Sequence, residues 1–142
     1  MIGIIITSED KESSEMLKTV KRLVGDAPGV SAVSLTQKLD PEGMTKRLRT
    51  VIEKMGPLEG VIILTDLVGS TQCRICQRFL KKGSIELVAG YNLPLVVKLS
   101  TINQKSSLKE IVNIASEYGQ KYIIHQSGTS SIPDIPLKNI LP

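Results

Sequence analysis

The 142 residues are 41% hydrophobic and 23% charged, the balance of a globular chain with one sizeable core rather than two ordinary domains. No apolar run approaches the roughly 20 residues that a bilayer-spanning helix needs. The N-terminus shows neither a basic n-region nor a small-residue cleavage site, so a cytoplasmic protein is expected. The net charge of +4 raises nucleic acid as a partner, but the 18 basic residues are scattered in runs of at most two, and one Phe, three Tyr and no Trp leave few stacking platforms. No nucleic-acid partner is expected, and mild positive charge suits an acidic or a phosphorylated protein equally.

Residues 1–7 form a short, continuous apolar run, the pattern of a buried parallel strand. Residues 11–25 follow with a helical stripe of Met16, Leu17, Val20, Leu23 and Val24, closed by Gly25 and Pro28. Val30 to Thr36 alternates as a strand. Pro41 opens a second helix with the stripe Met44, Leu48, Val51, Ile52 and Met55, stopped by Gly56-Pro57. Val61 to Leu64 is another buried strand, followed by a third helix carrying Ile75, Cys76, Phe79 and Leu80. Ile85 to Ala89 is a fourth strand. Asn92-Leu93-Pro94 begins a short helix, and Leu108, Ile111, Val112 and Ala115 mark a longer one. Tyr122-Ile123-Ile124 reads as a last short strand. One domain over residues 1–126 and an extended tail over 127–142, which holds three of the seven prolines, are expected. Alternating strands and helices predict an α/β fold, a doubly wound parallel four-stranded sheet with helices on both faces.

In such a sheet ligands bind beyond the carboxyl ends of the strands. Three strand-end loops are polar enough to matter: Thr7-Ser8-Glu9-Asp10, Thr65 to Thr71, and Gly90 to Pro94 with Asn92. In the second, Gly69 permits a tight turn, and Ser70 or Thr71 can cap the following helix. The start of that helix offers backbone N–H groups to a phosphate or carboxylate. Asp66 stands just before it and could orient a neighbouring donor. The alternative is that Asp66 ties down the turn and the hydroxyls only cap.

Together, Met1 to Ser8, Gly60 to Thr71 and Glu86 to Pro94 make the chain resemble, over roughly residues 1–125, the mannose-type IIA component of the bacterial phosphoenolpyruvate-dependent sugar phosphotransferase system. The resemblance implies a strand order of 2-1-3-4, which sets the ends of the first and third strands, with Glu9 and Asp66, side by side. It implies a homodimer that exchanges a last strand, for which Tyr122 to His125 is the candidate. It also implies HPr and a IIB component as partners, and contact with a membrane only through a permease complex. In that family the first strand is followed by Ser-His-Gly or a close variant, and the histidine relays a phosphoryl group. Ser8-Glu9-Asp10 takes that place here, so Glu9 aligns with the histidine. Where the family usually has Gly-Gly-Ser/Thr-Pro, this chain has Gly69-Ser70-Thr71-Gln72.

Imidazole is a good nucleophile near neutral pH and can be aimed through its second nitrogen. Glu9 lacks that nitrogen, and a carboxylate beside Asp66 is repelled. Carboxylates do accept phosphoryl groups, but normally with a cation to offset charge. Glu9 and Asp66 could share a proton, bind a cation, or have Glu9 turned to the helix start at Ser70-Thr71; otherwise Glu9 faces water in a decayed site. His125, the only histidine, is distant in sequence from Asp66 and is a poor substitute acceptor. Cys73 and Cys76 have the spacing of a thiol-disulfide motif at a helix start, although Cys76 lies on the apolar stripe. Two cysteines and one distant histidine do not supply a zinc site, and no metal or cofactor is expected. The leading expectation is a regulatory or protein-binding IIA-like module. The alternatives are a phosphoryl carrier through Glu9 or His125, and a thiol-disulfide protein.

Overall fold

Four parallel strands, β1 (Ile2–Ser8), β2 (Val30–Ser34), β3 (Gly60–Thr65) and β4 (Ile85–Ala89), pair in the order β2-β1-β3-β4, the order that the resemblance implied. The structure is a computed structural model and describes residues 1–102, 105–128 and 136. Helices α1 (Glu12–Val24), α2 (Pro41–Lys54), α3 (Thr71–Gln77), α4 (Leu93–Thr101) and α5 (Leu108–Lys121) connect and cover the sheet. Among the described residues no helix is long and apolar enough to cross a membrane.

The period-two geometry of a strand explains why β1 and β3 are apolar throughout. Ile4, Ile6, Ile62 and Leu64 point to the core under α1, α4 and α5, whereas Ile5, Val61 and Ile63 point to the core under α2 and α3. Both faces are therefore covered, and all of Ile4, Ile5, Ile6, Ile62, Ile63 and Leu64 are buried. At roughly 1.5–3 kcal/mol for each fully buried aliphatic side chain, these two central strands anchor the sheet. The pairing of Ile4 with Val30 on one side and with Ile62 on the other aligns the carboxyl ends of β1, β2 and β3.

Helix starts follow the sequence signals. Asp40 Oδ1 accepts the Gly43 N–H at 2.7 Å ahead of Pro41, and Ser107 and Glu110 form a reciprocal capping box at α5. One expectation is corrected. The third helix stops at Gln77, short of Phe79 and Leu80, because the N–H groups of Arg78, Phe79 and Leu80 each bond three residues back and tighten the last turn away from α geometry. Among the described residues no strand of the same chain pairs with Tyr122-Ile123-Ile124, and Tyr122 caps α5; the strand expected there is one exchanged with a second subunit. The tail expected over 127–142 falls, apart from residues 127, 128 and 136, outside the described residues.

Candidate functional site

The turn after β1 is held by one buried hydroxyl. Ser8 Oγ accepts the Ser13 N–H at 2.9 Å and donates to the Asp10 carbonyl at 2.7 Å, and it lies 2.8 Å from Ser13 Oγ. Ser13 Oγ in turn donates to the Val33 carbonyl at 3.2 Å. Lys11, the N-cap of α1, makes no side-chain cap, so Ser8 satisfies the helix start from across the turn. That clamp forces Glu9 outward. Its backbone carbonyl accepts the Ser34 hydroxyl at 3.0 Å, while its carboxylate is exposed and makes no hydrogen bond or ion pair among the described residues.

The turn after β3 is built differently. Asp66 is exposed, and its Oδ1 accepts the Leu67 N–H at 2.9 Å. Gly69 takes φ +81°, the left-handed region, and leads into Ser70, whose Oγ accepts the Cys73 N–H at 3.0 Å. Ser70 is thus the cap of α3, and Thr71 is its exposed first residue. Gln72, in place of the family's usual proline, is buried and donates from Nε2 to the Leu35 carbonyl at 3.1 Å, tying α3 to the end of β2. At the end of β3 the Thr65 hydroxyl is buried and has no hydrogen-bond partner among the described residues. The sheet brings the ends of β1 and β3 together, but among the described residues the Glu9 side chain makes no hydrogen bond with Asp66, Ser70 or Thr71. Of the geometries open to Glu9 from the sequence, neither a hydrogen bond to Asp66 nor one to the helix start at Ser70-Thr71 is formed among the described residues.

Asn92 is occupied structurally. Its Oδ1 accepts the Leu95 N–H at 3.2 Å and its Nδ2 donates to the Gly119 carbonyl at 2.7 Å, locking the start of α4 to the end of α5. Its neighbour Tyr91 lies in the same Gly90 to Pro94 loop and was not singled out from the sequence. Burial, with added repulsion from the Asp66 and Glu12 charges, pushes its phenol up to about 12, so the hydroxyl stays protonated between the first and second loops. The only signal for it was its place directly after a strand-ending glycine.

Cys73 and Cys76 are both buried free thiols. Burial pushes the Cys76 thiol up to about 11, against the opposing hydrogen bond of Thr7, whose Oγ1 lies 3.6 Å from Sγ. A buried, protonated thiol lacks the exposed thiolate that disulfide exchange requires. His125 lies exposed beyond α5 and not in the turn after β1. Among the described residues no three His, Cys, Asp or Glu side chains converge as metal ligands.

A family profile described as the PTS system fructose IIA component matches residues 3–116. The PTS mannose-specific EIIAB component of Escherichia coli (strain K12) is 25% identical over 122 residues, which cover 84% of this chain and 38% of that protein, so the chain spans about two fifths of that relative's length. Among solved structures, the mannose/sorbose-specific IIA subunit of the phosphotransferase system from Enterococcus faecalis superposes with a TM-score of 0.79 at 20% identity, covering 92% of this chain and 98% of that one. At that identity the likeness speaks for the fold. The PTS IIA protein associated with the fucose utilization operon of Streptococcus pneumoniae gives a TM-score of 0.69 at 29% identity, covering 82% of this chain and 89% of that one.

Proposed function

Because this chain belongs to the IIA-component family of the sugar phosphotransferase system, we propose that it serves there as a regulatory or protein-binding module and not as a phosphoryl carrier. The observation that carries this reading is Glu9. It occupies the turn where the resemblance puts the phosphoryl-accepting histidine, and its carboxylate faces water with no basic partner among the described residues. A carboxylate acceptor needs its added charge offset, and a carboxylate has no second nitrogen through which Asp66 could aim it. Asp66, Gly69, Ser70 and Thr71 keep the shape of a phosphate loop, with Ser8 clamping the facing turn and Asn92 fixing the third loop behind them.

HPr and a IIB component are the proposed partners, in the cytoplasm, with the membrane reached only through a permease complex. We also propose a homodimer. Among the described residues strand β4 pairs with one strand, β3, and is half-buried along most of its length; past Ile85, whose N–H and C=O bond Lys81, its outer edge has no strand partner there. Residues 123–127 lie outside any helix or strand, with Ile123 74% exposed. Exchange of that segment would cover both.

The test is intact mass after incubation with phosphoenolpyruvate, enzyme I and HPr, on the native chain and on Glu9→His. The expected result is no gain by the native chain and gain of one phosphoryl group by the variant. Gain by the native chain overturns the reading and directs the search to Glu9 or His125 as acceptor. Gain by neither means that the site has decayed further or that the partner is not HPr.

A further inference from the structure

Cations that are scattered along the sequence gather in the fold. Helices α2 and α3 pack against each other on the same face of the sheet. With their cap residues Asp40 and Arg78 they carry Lys46, Arg47, Arg49, Lys54, Arg74 and Arg78 against Asp40, Glu42 and Glu53. Three of the four net positive charges of the chain therefore sit on these two helices. All six cations are exposed, and among the described residues none is in an ion pair.

Three of the guanidinium groups are nonetheless held in direction by neutral contacts. Arg47 Nη1 donates to the Ser34 carbonyl at 3.0 Å, Arg78 Nη1 donates to Thr45 Oγ1 at 3.0 Å, and Arg49 lies over the Phe79 ring at 5.8 Å. Such contacts aim the fork without neutralising it, which lowers the ordering cost of pairing with a carboxylate. In the loop leading into α3, Leu67 and Val68 stand 66% and 74% exposed. Apolar anchors beside arginines are the composition of a protein interface. Nucleic acid fits poorly, because Phe79, the one aromatic beside these helices, is half-buried with Arg49 over it. A bilayer fits poorly too, because the apolar stripe of α2, with Met44 and Leu48, is spent on the core.

We propose that the α2–α3 face is the docking surface for an acidic protein, whose carboxylates meet Arg47, Arg74 and Arg78 and whose apolar contact meets Leu67 and Val68. This rests on the protein-binding reading above. The phosphoryl-gain measurement reads the pocket and the titration below reads the face, so the two can fail separately.

The test is a titration of the isotope-labelled full chain, followed amide by amide, with three probes: a short blocked peptide of glutamate and leucine, single-stranded oligothymidylate, and phosphatidylglycerol vesicles. The peptide is expected to bind best and to shift α2, α3 and residues 67–68. Arg47→Glu with Arg78→Glu is expected to weaken it roughly tenfold at low salt, two exposed pairs being not only lost but reversed. Arg74→Glu, whose side chain holds no fold contact, is expected to weaken it in the same direction. Lys21→Glu with Lys109→Glu changes net charge equally on α1 and α5 and is expected to leave binding unchanged. Tighter binding of oligothymidylate or vesicles, peptide shifts centred elsewhere, equal weakening by the α1–α5 control, or no peptide binding overturns the proposal.

Discussion

Ser8→Ala isolates the clamp that shapes the turn carrying Glu9. In the native chain Ser8 is fully buried, and its Oγ is the acceptor for the Ser13 N–H at 2.9 Å. Truncation leaves that N–H, on the second residue of α1 in a 1% exposed position, with no acceptor. An unsatisfied buried donor costs about 1–3 kcal/mol, the same range as loss of a helix cap. The other two contacts add little: the Asp10 carbonyl is exposed and can turn to water, and the Ser13 hydroxyl keeps the Val33 carbonyl as its acceptor. The expected loss is about 2 kcal/mol, or roughly 4–8 °C in Tm for a chain of this size. Urea unfolding of Ser8→Ala, Ser13→Ala and the double variant measures it, and the two single losses should exceed the double by more than about 0.5 kcal/mol because the hydroxyls share one network. A loss for Ser8→Ala below about 0.5 kcal/mol, or strict additivity, would refute the clamp.

Asn92→Ala removes both the cap of α4 and the 2.7 Å bond to the Gly119 carbonyl, and urea unfolding should show a loss of about 2 kcal/mol. Asn92→Asp keeps the cap acceptor but not the amide donor and should fall between the two; a loss equal to that of alanine would mean that the cap contributes nothing. Cys76, raised by burial from 9.0 to about 11, keeps its proton in the folded chain at pH values where the unfolded chain has released it. Its contribution is therefore whole below pH 9 and is lost as pH rises through about 11, so the urea midpoint of the native chain should fall relative to Cys76→Ala across that window; parallel midpoints would sink the assignment.

What the sequence disclosed depended on whether the signal was local. The uninterrupted isoleucines of β1 and the Val61 to Leu64 run read as strands covered on both faces, and Pro41, Ser70 and Asn92 mark helix starts by side-chain chemistry. The order of the strands was not in the residues; it came through resemblance to a family. Three features were hidden because they need the third dimension. The Ser8–Ser13 link crosses a turn, and neither residue sits at the N-cap where a hydroxyl would be expected. The extent of α3 was overread because Phe79 and Leu80 continue the helical spacing while the backbone has already tightened. The basic face was invisible because α2 and α3 are separated in sequence by β3 and meet only when both cover the same side of the sheet.

The two halves of the functional reading support each other through charge. Glu9, Asp10, Glu12 and Asp66 are all exposed at the carboxyl ends of β1 and β3, and Glu12 is held there by the Asp10 N–H at 3.0 Å. An arriving anion, whether a carboxylate-rich protein or a phosphorylated carrier, meets repulsion of roughly 0.4 kcal/mol from each such charge at about 10 Å in water. With the exposed Lys11 of the same turn offsetting one of them, the four together disfavour approach by about 1 kcal/mol at low salt. An imidazole at position 9 would remove one of those charges. The face of α2 and α3 begins beside this turn, since Ser34 takes the Glu9 carbonyl with its hydroxyl and Arg47 with its own carbonyl, and it presents unpaired cations where the turn presents carboxylates. An acidic partner is thereby attracted next to the pocket and repelled from it, which favours docking over transfer of a phosphoryl group. Raising the salt should weaken both effects, and Glu9→His should relieve only the repulsion.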